Sequence, residues 1–204
     1  GTENTALGID AIKFGTTGSF NTALGACTLG ASDVNTGNDN VAVGRKSMFD
    51  NTSGRENTAV GASSLPNNTT ACNNTAVGNV SMHNTTTGCC NTAVGHSSGY
   101  RITSGLSNTA VGCNAGSQIT TGDKNVVLGQ LSGADSMINI TTEDNRLAAG
   151  HNDITNSYVK VDWTVTSDLR DKTEIADVPH GLEFVNKMKP VSFKFKKSRE
   201  NPEP

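Results

Sequence analysis

Asn57-Thr58-Ala59-Val60-Gly61 recurs without change from Asn74, Asn91 and Asn108. Close variants start at Asn4 and Asn21, where Leu replaces Val, at Asn40, where Val replaces Thr, and at Asn125, which reads Asn-Val-Val-Leu-Gly. Successive asparagines stand 17, 19, 17, 17, 17, 17 and 17 residues apart. A fixed period of this size is the mark of a stacked-repeat architecture. A strand-like stretch of this length between glycine-rich turns is too short for a helical repeat, so each unit reads as one β-coil. The fold expected is all-β, a repetitive β-solenoid.

Stacking sets the role of each position. Equivalent residues of successive coils lie about 4.8 Å apart, the spacing of hydrogen-bonded strands. The column Asn57, Asn74, Asn91, Asn108 is expected to bond amide to amide along the stack. Val60, Val77, Val94 and Val111, extended by Leu7, Leu24, Val43 and Leu128, are expected to form an inward apolar column, with alanine on the other parity. Thr58, Thr75, Thr92 and Thr109 share the valine parity. They are therefore expected to point inward or toward a neighbour, which argues against a water-ordering threonine face. Gly61, Gly78, Gly95 and Gly112 turn the chain where a positive φ or a close backbone approach is needed. The 22 glycines, 34% hydrophobic content and 4% aromatic content also suit a disordered segment. Disorder does not, however, keep apolar residues in phase with a strict period.

The core of such a coil is lean. Residues 1–138 contain only Phe14, Phe20, Phe49 and Tyr100 as aromatics, so one chain buries little large apolar surface. A closed assembly of identical chains would supply the rest. The net charge of −3 argues against a nucleic-acid partner. No membrane insertion is expected. The chain runs from inside a repeat at Gly1 to a charged stretch at Pro204 and reads as a segment of something longer. Five cysteines without framework spacing, Cys27, Cys72, Cys89, Cys90 and Cys113, read as free thiols of a reducing compartment. Cys72 and Cys89 share a repeat position and can stack. The four histidines are scattered, so neither a metal nor a cofactor is expected.

Residues 1–138 are assigned to the repeat shaft or head, 139–166 to a β-strand connector where the period is lost, and 167–204 to a further domain. Within 157–165, Tyr158, Lys160 and Asp162 alternate with Val159, Val161 and Trp163. The side chains that vary between coils include Arg45, Lys46, Phe49, His83, His96, Tyr100 and Arg101. They are candidate contacts for a glycan or another surface, beside the plainer reading as solvated turn residues. Asn-x-Thr/Ser triplets at Asn51, Asn68, Asn73, Asn84 and Asn139 read as by-products of the Asn/Thr-rich repeat. An enzyme acting on glycans needs paired carboxylates in a groove, and acidic residues are sparse in the repeats.

The sharpest local pattern is Thr-Ser-Asp-Leu-Arg-Asp-Lys-Thr-Glu-Ile at 166–175, followed by Gly-Leu-Glu-Phe-Val-Asn-Lys-Met-Lys-Pro-Val-Ser-Phe-Lys-Phe at 181–195. It resembles the start of the endosialidase-type intramolecular chaperone, the self-cleaving C-terminal domain of phage tail spikes and tail fibres. The coils are more loosely similar to the heads of trimeric autotransporter adhesins. The resemblance implies a parallel homotrimer, two further copies of the chain being its partners, with a chaperone of α+β type that is released by cleavage between Thr166 and Ser167. Carried over by position, Ser167 is the nucleophile and Lys172 the base of a Ser-Lys dyad, with Asp168 and Arg170 shaping the site. Without the family, Ser167 and Lys172 are an ordinary surface Ser and Lys, and Ser167-Asp168 is a helix N-cap signal ahead of a short amphipathic helix over 181–189 ending before Pro190. Cleavage would be a single maturation step, not turnover. The expectation is a tail-fibre or tail-spike segment in the virion, assembled in the host cytoplasm. Its partners would be other tail proteins and a host cell-surface glycan or protein receptor. The rival reading is the head of a trimeric bacterial surface adhesin.

Overall fold

The computed structural model describes residues 1–13, 17–30, 35–135 and 138–156. The chain divides into units Gly1–Ser157 and Tyr158–Pro204, and the described residues lie in the first. They form a parallel β-solenoid in which each coil contributes one three-residue strand. The strands are β1 (Thr5–Leu7), β2 (Thr22–Leu24), β3 (Val41–Val43), β4 (Thr58–Val60), β5 (Thr75–Val77), β6 (Thr92–Val94), β7 (Thr109–Val111), β8 (Val126–Leu128) and β9 (Leu147–Ala149). They pair in parallel in chain order, position on position, so that Ala59 faces Ala42 on one side and Ala76 on the other.

The inward column is alanine, not valine. Ala23, Ala42, Ala59, Ala76, Ala93 and Ala110 are completely buried, whereas Val94 and Val111 are 37% and 39% exposed. The threonines flanking each alanine are half-buried from β2 to β7 wherever they occur, on the same outward side as the valines. A three-residue strand offers a single inward position, and large side chains cross the interior to meet it. Ala59, Ala76 and Ala93 pack with Met48, Leu65 and Met82 in one cluster, leaving room for a methyl and little more. Both parities of Thr-Ala-Val contain an apolar residue, so hydrophobicity alone does not orient the strand.

The interior changes composition part-way along. Through the early coils the Leu/Met/Gly position of the repeat carries Leu29, Met48, Leu65 and Met82, all buried. In the next three coils it carries Gly99, Gly116 and Gly133, while Ile102, Ile119 and Ile140 enter from seventeen-residue columns held earlier by Asn51, Asn68 and Thr85. A Cβ on Gly99 would lie 2.9 Å from Ile102 Cδ1, and one on Gly116 lies equally near Ile119 Cδ1. Volume is exchanged between neighbouring columns, keeping the interior filled.

Polar columns complete the stack. From Asn21 to Asn125, each repeat asparagine donates from Nδ2 to Oδ1 of the preceding one at 3.0–3.2 Å. The same Oδ1 also accepts the backbone N–H of the next asparagine at 2.9–3.1 Å. The second amide hydrogen reaches a turn carbonyl, such as Gly88 O from Asn74 and Gly105 O from Asn91, both at 2.8 Å. The amide groups are thus satisfied without water, as burial demands.

Buried serines tie the turn to the next strand. Ser47, Ser64, Ser81 and Ser98 donate from Oγ to the carbonyls of Ala59, Ala76, Ala93 and Ala110 at 2.7–3.1 Å. Ser132 occupies the same column, yet its buried Oγ has no partner. Ser81→Ala is therefore expected to cost about 1–2 kcal/mol and Ser132→Ala close to nothing, a contrast that parallel urea titrations will read directly.

The stack runs on past residue 138. Twenty-one residues separate Asn125 from Arg146, whose backbone N–H accepts the role of the next rung by donating to Asn125 Oδ1 at 2.9 Å. The surplus lies around an antiparallel bridge between Ala134 and Asn139, after which β9 pairs with β8 in register. The change of spacing hides a ninth coil, whose strand β9 falls within the stretch assigned to the β-strand connector. The alternating stretch at 157–165 lies outside the described residues.

Candidate functional site

Two surfaces follow from this geometry. The first is the outward face of the sheet, where threonine and valine columns run side by side. Leu7, Val41, Val94, Val111, Val126, Leu128 and Leu147 are exposed along it. Eight strand spacings and three residues give a face about 38 Å by about 10 Å. Threonine holds one of its two outward columns in most coils, so the apolar part of the face is a stripe. The outward direction of the threonines removes the parity objection to a water-ordering face.

The second is an edge built from the turn after each strand. Phe49, Pro66, His83, Tyr100 and Ser117 follow one another at seventeen-residue steps and so occupy one column. The His83 and Tyr100 rings stack with centroids 5.1 Å apart and planes 16° from parallel, the separation that coil stacking imposes. Lys46 Nζ lies 5.3 Å from the centre of the Phe49 ring, a cation–π contact. His83 Nδ1 is 3.0 Å from Asn84 Oδ1, and Asn67 Nδ2 donates to the His83 carbonyl at 2.9 Å. Where the column passes from Tyr100 to Ser117 a hollow of about 240 Å³ opens, lined by Tyr100, Arg101, Ser97, Asn114 and Gln118. The residues singled out from sequence, Phe49, His83, Tyr100 and Arg101, are brought together here. Pro66 and the empty rung at Ser117 were missed, although the period that aligned the asparagines also aligns these.

His96 lies elsewhere, with Nδ1 4.0 Å from Cys113 Sγ one coil on. Cys72 and Cys89 do stack, and their sulfurs are 2.8 Å apart. Partial burial, then the hydrogen bond with Cys72, pushes the Cys89 thiol above its ordinary value. Asn51 and Asn68 are buried and bonded to each other, Asn68 Nδ2 to Asn51 Oδ1 at 2.7 Å, so neither is open to a glycan. Among the described residues no group of three His, Cys, Asp or Glu is placed to hold a metal ion. No described helix is long and apolar enough to cross a membrane.

Ser167, Asp168, Arg170 and Lys172 lie outside the described residues. Their stretch is the one that comparison reaches: residues 167–203 match the family described as chaperone of endosialidase. No curated protein and no solved structure matches the chain. The protein thus combines a parallel β-solenoid with a segment similar to an intramolecular chaperone.

Proposed function

We propose that this chain is a segment of a phage tail fibre or tail spike, a homotrimeric rod whose C-terminal chaperone brings three copies together. The observation that carries this reading is the chaperone-like stretch at 167–203, following a solenoid with a long exposed Thr/Val face. A coil whose inward column is alanine has little oily surface of its own. Covering the outward valines with two further copies offsets that shortage, and identical parallel chains present identical columns to one another. The edge lined by Phe49, His83 and Tyr100 then appears three times on the rod. A glycan receptor on the host surface is met by several weak contacts acting together. The match at 167–203 favours this role over the adhesin head.

The 21.2 kDa chain is expected to have the solution mass of three copies by light scattering. Val94→Glu with Val111→Glu, both on the outward face, is expected to leave single chains with an unchanged β-type circular dichroism spectrum. A wild-type protein that stays monomeric at micromolar concentration contradicts the trimer. In the same reading the Ser167 hydroxyl, its proton taken by Lys172, attacks the carbonyl carbon of Thr166; the Thr166–Ser167 C–N bond breaks as Lys172 returns the proton to the Ser167 nitrogen, and water hydrolyses the ester to free the Thr166 carboxylate. Intact-mass spectrometry is expected to show a fragment ending at Thr166 in wild type and a whole chain in Ser167→Ala. A wild-type chain as intact as the variant removes the self-cleavage.

A further inference from the structure

We propose that Cys72 and Cys89 form a redox staple, closing into a disulfide that ties the coil of β5 to the coil of β6. Each cysteine stands two residues before a ladder asparagine, Asn74 or Asn91. The backbones there are pinned. Asn91 bonds to Asn74 through both its main chain and its side chain, and the Cys90 N–H donates to the Cys72 carbonyl at 3.0 Å. Stacked positions lie about 4.8 Å apart, inside the Cα separations that disulfides span. The sulfurs already touch at 2.8 Å. Closure needs side-chain rotation and no movement of the coils.

The column containing these cysteines has a definite task, and sulfur performs it poorly. Its backbone N–H groups take their acceptors from side chains one coil further on. Ser19 N–H donates to Asn38 Oδ1, Leu106 N–H to Asp123 Oδ1 and Asp123 N–H to Asp144 Oδ1, each at 2.7 Å. Cys72 N–H instead meets Cys89 Sγ at 3.1 Å. Sulfur is a weak acceptor, so the hydrogen-bonding role alone would favour Asn, Asp or Ser. Two cysteines in succession gain what those residues lack, a covalent bond. Both are half-buried at the solenoid edge, within reach of a small reagent.

The co-reactant is a small-molecule disulfide such as oxidised glutathione. The thiolate of one cysteine attacks it, breaking its S–S bond and releasing one glutathione thiol. The other cysteine's thiolate then attacks the mixed disulfide and expels the second. Two protein thiols are oxidised, one disulfide is reduced to two thiols, and the two cysteine protons end on the glutathiones. In a reducing compartment the staple stays open; in an oxidising one it closes.

The test uses the chain treated with excess oxidised glutathione and then cleaved at methionine with cyanogen bromide. Met82 separates Cys72 from Cys89, Cys90 and Cys113, with Met48 and Met137 as the outer cuts. The expected result is that the fragments 49–82 and 83–137 remain joined until reductant is added, with two of the five thiols lost and a rise in the urea midpoint. Cys89→Ser, which keeps an acceptor for the Cys72 N–H, is expected to abolish both the join and the midpoint shift. Cys90→Ser is expected to behave as wild type. Separate fragments in oxidised wild type, glutathione adducts without a join, or a join that survives Cys89→Ser and disappears in Cys90→Ser would each overturn the assignment.

Discussion

Asn74→Ala is expected to lower the unfolding free energy by about 3–5 kcal/mol, since three buried groups lose their partners at about 1–3 kcal/mol each and such costs are less than additive. Asn91 loses the Asn74 Oδ1 that accepts both its backbone N–H at 2.9 Å and its side-chain amide at 3.2 Å. The Gly88 carbonyl loses its 2.8 Å donor. Asn57 Oδ1 is less affected because it keeps the backbone N–H of residue 74 at 3.0 Å. Asn74 is 1% exposed, so water cannot replace the lost bonds without opening the coil. Against a total of about 5–15 kcal/mol for a typical domain, the effect is large. Asn4→Ala supplies the internal comparison. It removes the terminal rung, where Asn4 is only half-buried and its own coil is exposed, so about 1 kcal/mol is expected. Urea titrations read by circular dichroism should show a lower midpoint at unchanged slope for Asn74→Ala. Equal losses at the two sites would mean that the ladder is not a continuous buried structure.

The ladder was legible in the sequence because one residue type recurs at one spacing and its amide both donates and accepts. Coil-on-coil stacking was legible for the same reason. The direction of the strand was not. Thr-Ala-Val offers Val on one parity and Ala on the other, and the larger hydrophobe looks like the better core residue. What decides the matter is the space left by Met48, Leu65 and Met82 crossing from the opposite wall, which is a property of the closed coil. The exchange of Leu or Met for Gly at 99, 116 and 133, answered by Ile102, Ile119 and Ile140 three to seven residues later, was equally hidden. It requires knowing that the two columns share one volume.

The ninth coil was lost to a different cause. Four surplus residues break the period, and Arg146 holds the ladder position that asparagine holds in the other coils. The rung needs only a backbone N–H to close on Asn125 Oδ1, and any residue except proline provides one. Side-chain periodicity therefore understates the length of a solenoid whose end is completed by main chain. The ring column at Phe49, Pro66, His83, Tyr100 and Ser117 was within reach of the same arithmetic that aligned the asparagines. Its members differ in kind, so only the number seventeen connects them.

Gly78→Ala is expected to cost at least as much as the loss of a ladder rung, about 3–5 kcal/mol, by a mechanism that removes no hydrogen bond. A Cβ at residue 78 would lie 2.4 Å from the Gly95 carbonyl oxygen and 2.6 Å from its carbon. Both are main-chain atoms, and the main chain has nowhere to go. The Gly78 N–H is bonded to the Val60 carbonyl at 2.7 Å, and the Ser97 N–H to the Asn79 carbonyl at 3.0 Å, so a shift of one coil strains the coils on either side. The φ of +135° adds a dihedral cost of about 1–3 kcal/mol, and the crowding adds a similar amount. Gly129 separates the two contributions. Its φ is +107°, but an added Cβ would come no nearer than 3.3 Å to Gly150 Cα, so Gly129→Ala should show the dihedral cost nearly alone. The difference between the two variants measures how tightly neighbouring coils are drawn together. If both unfold at the same urea concentration, the approach of coil to coil is not what demands glycine, and the backbone conformation by itself accounts for the residue.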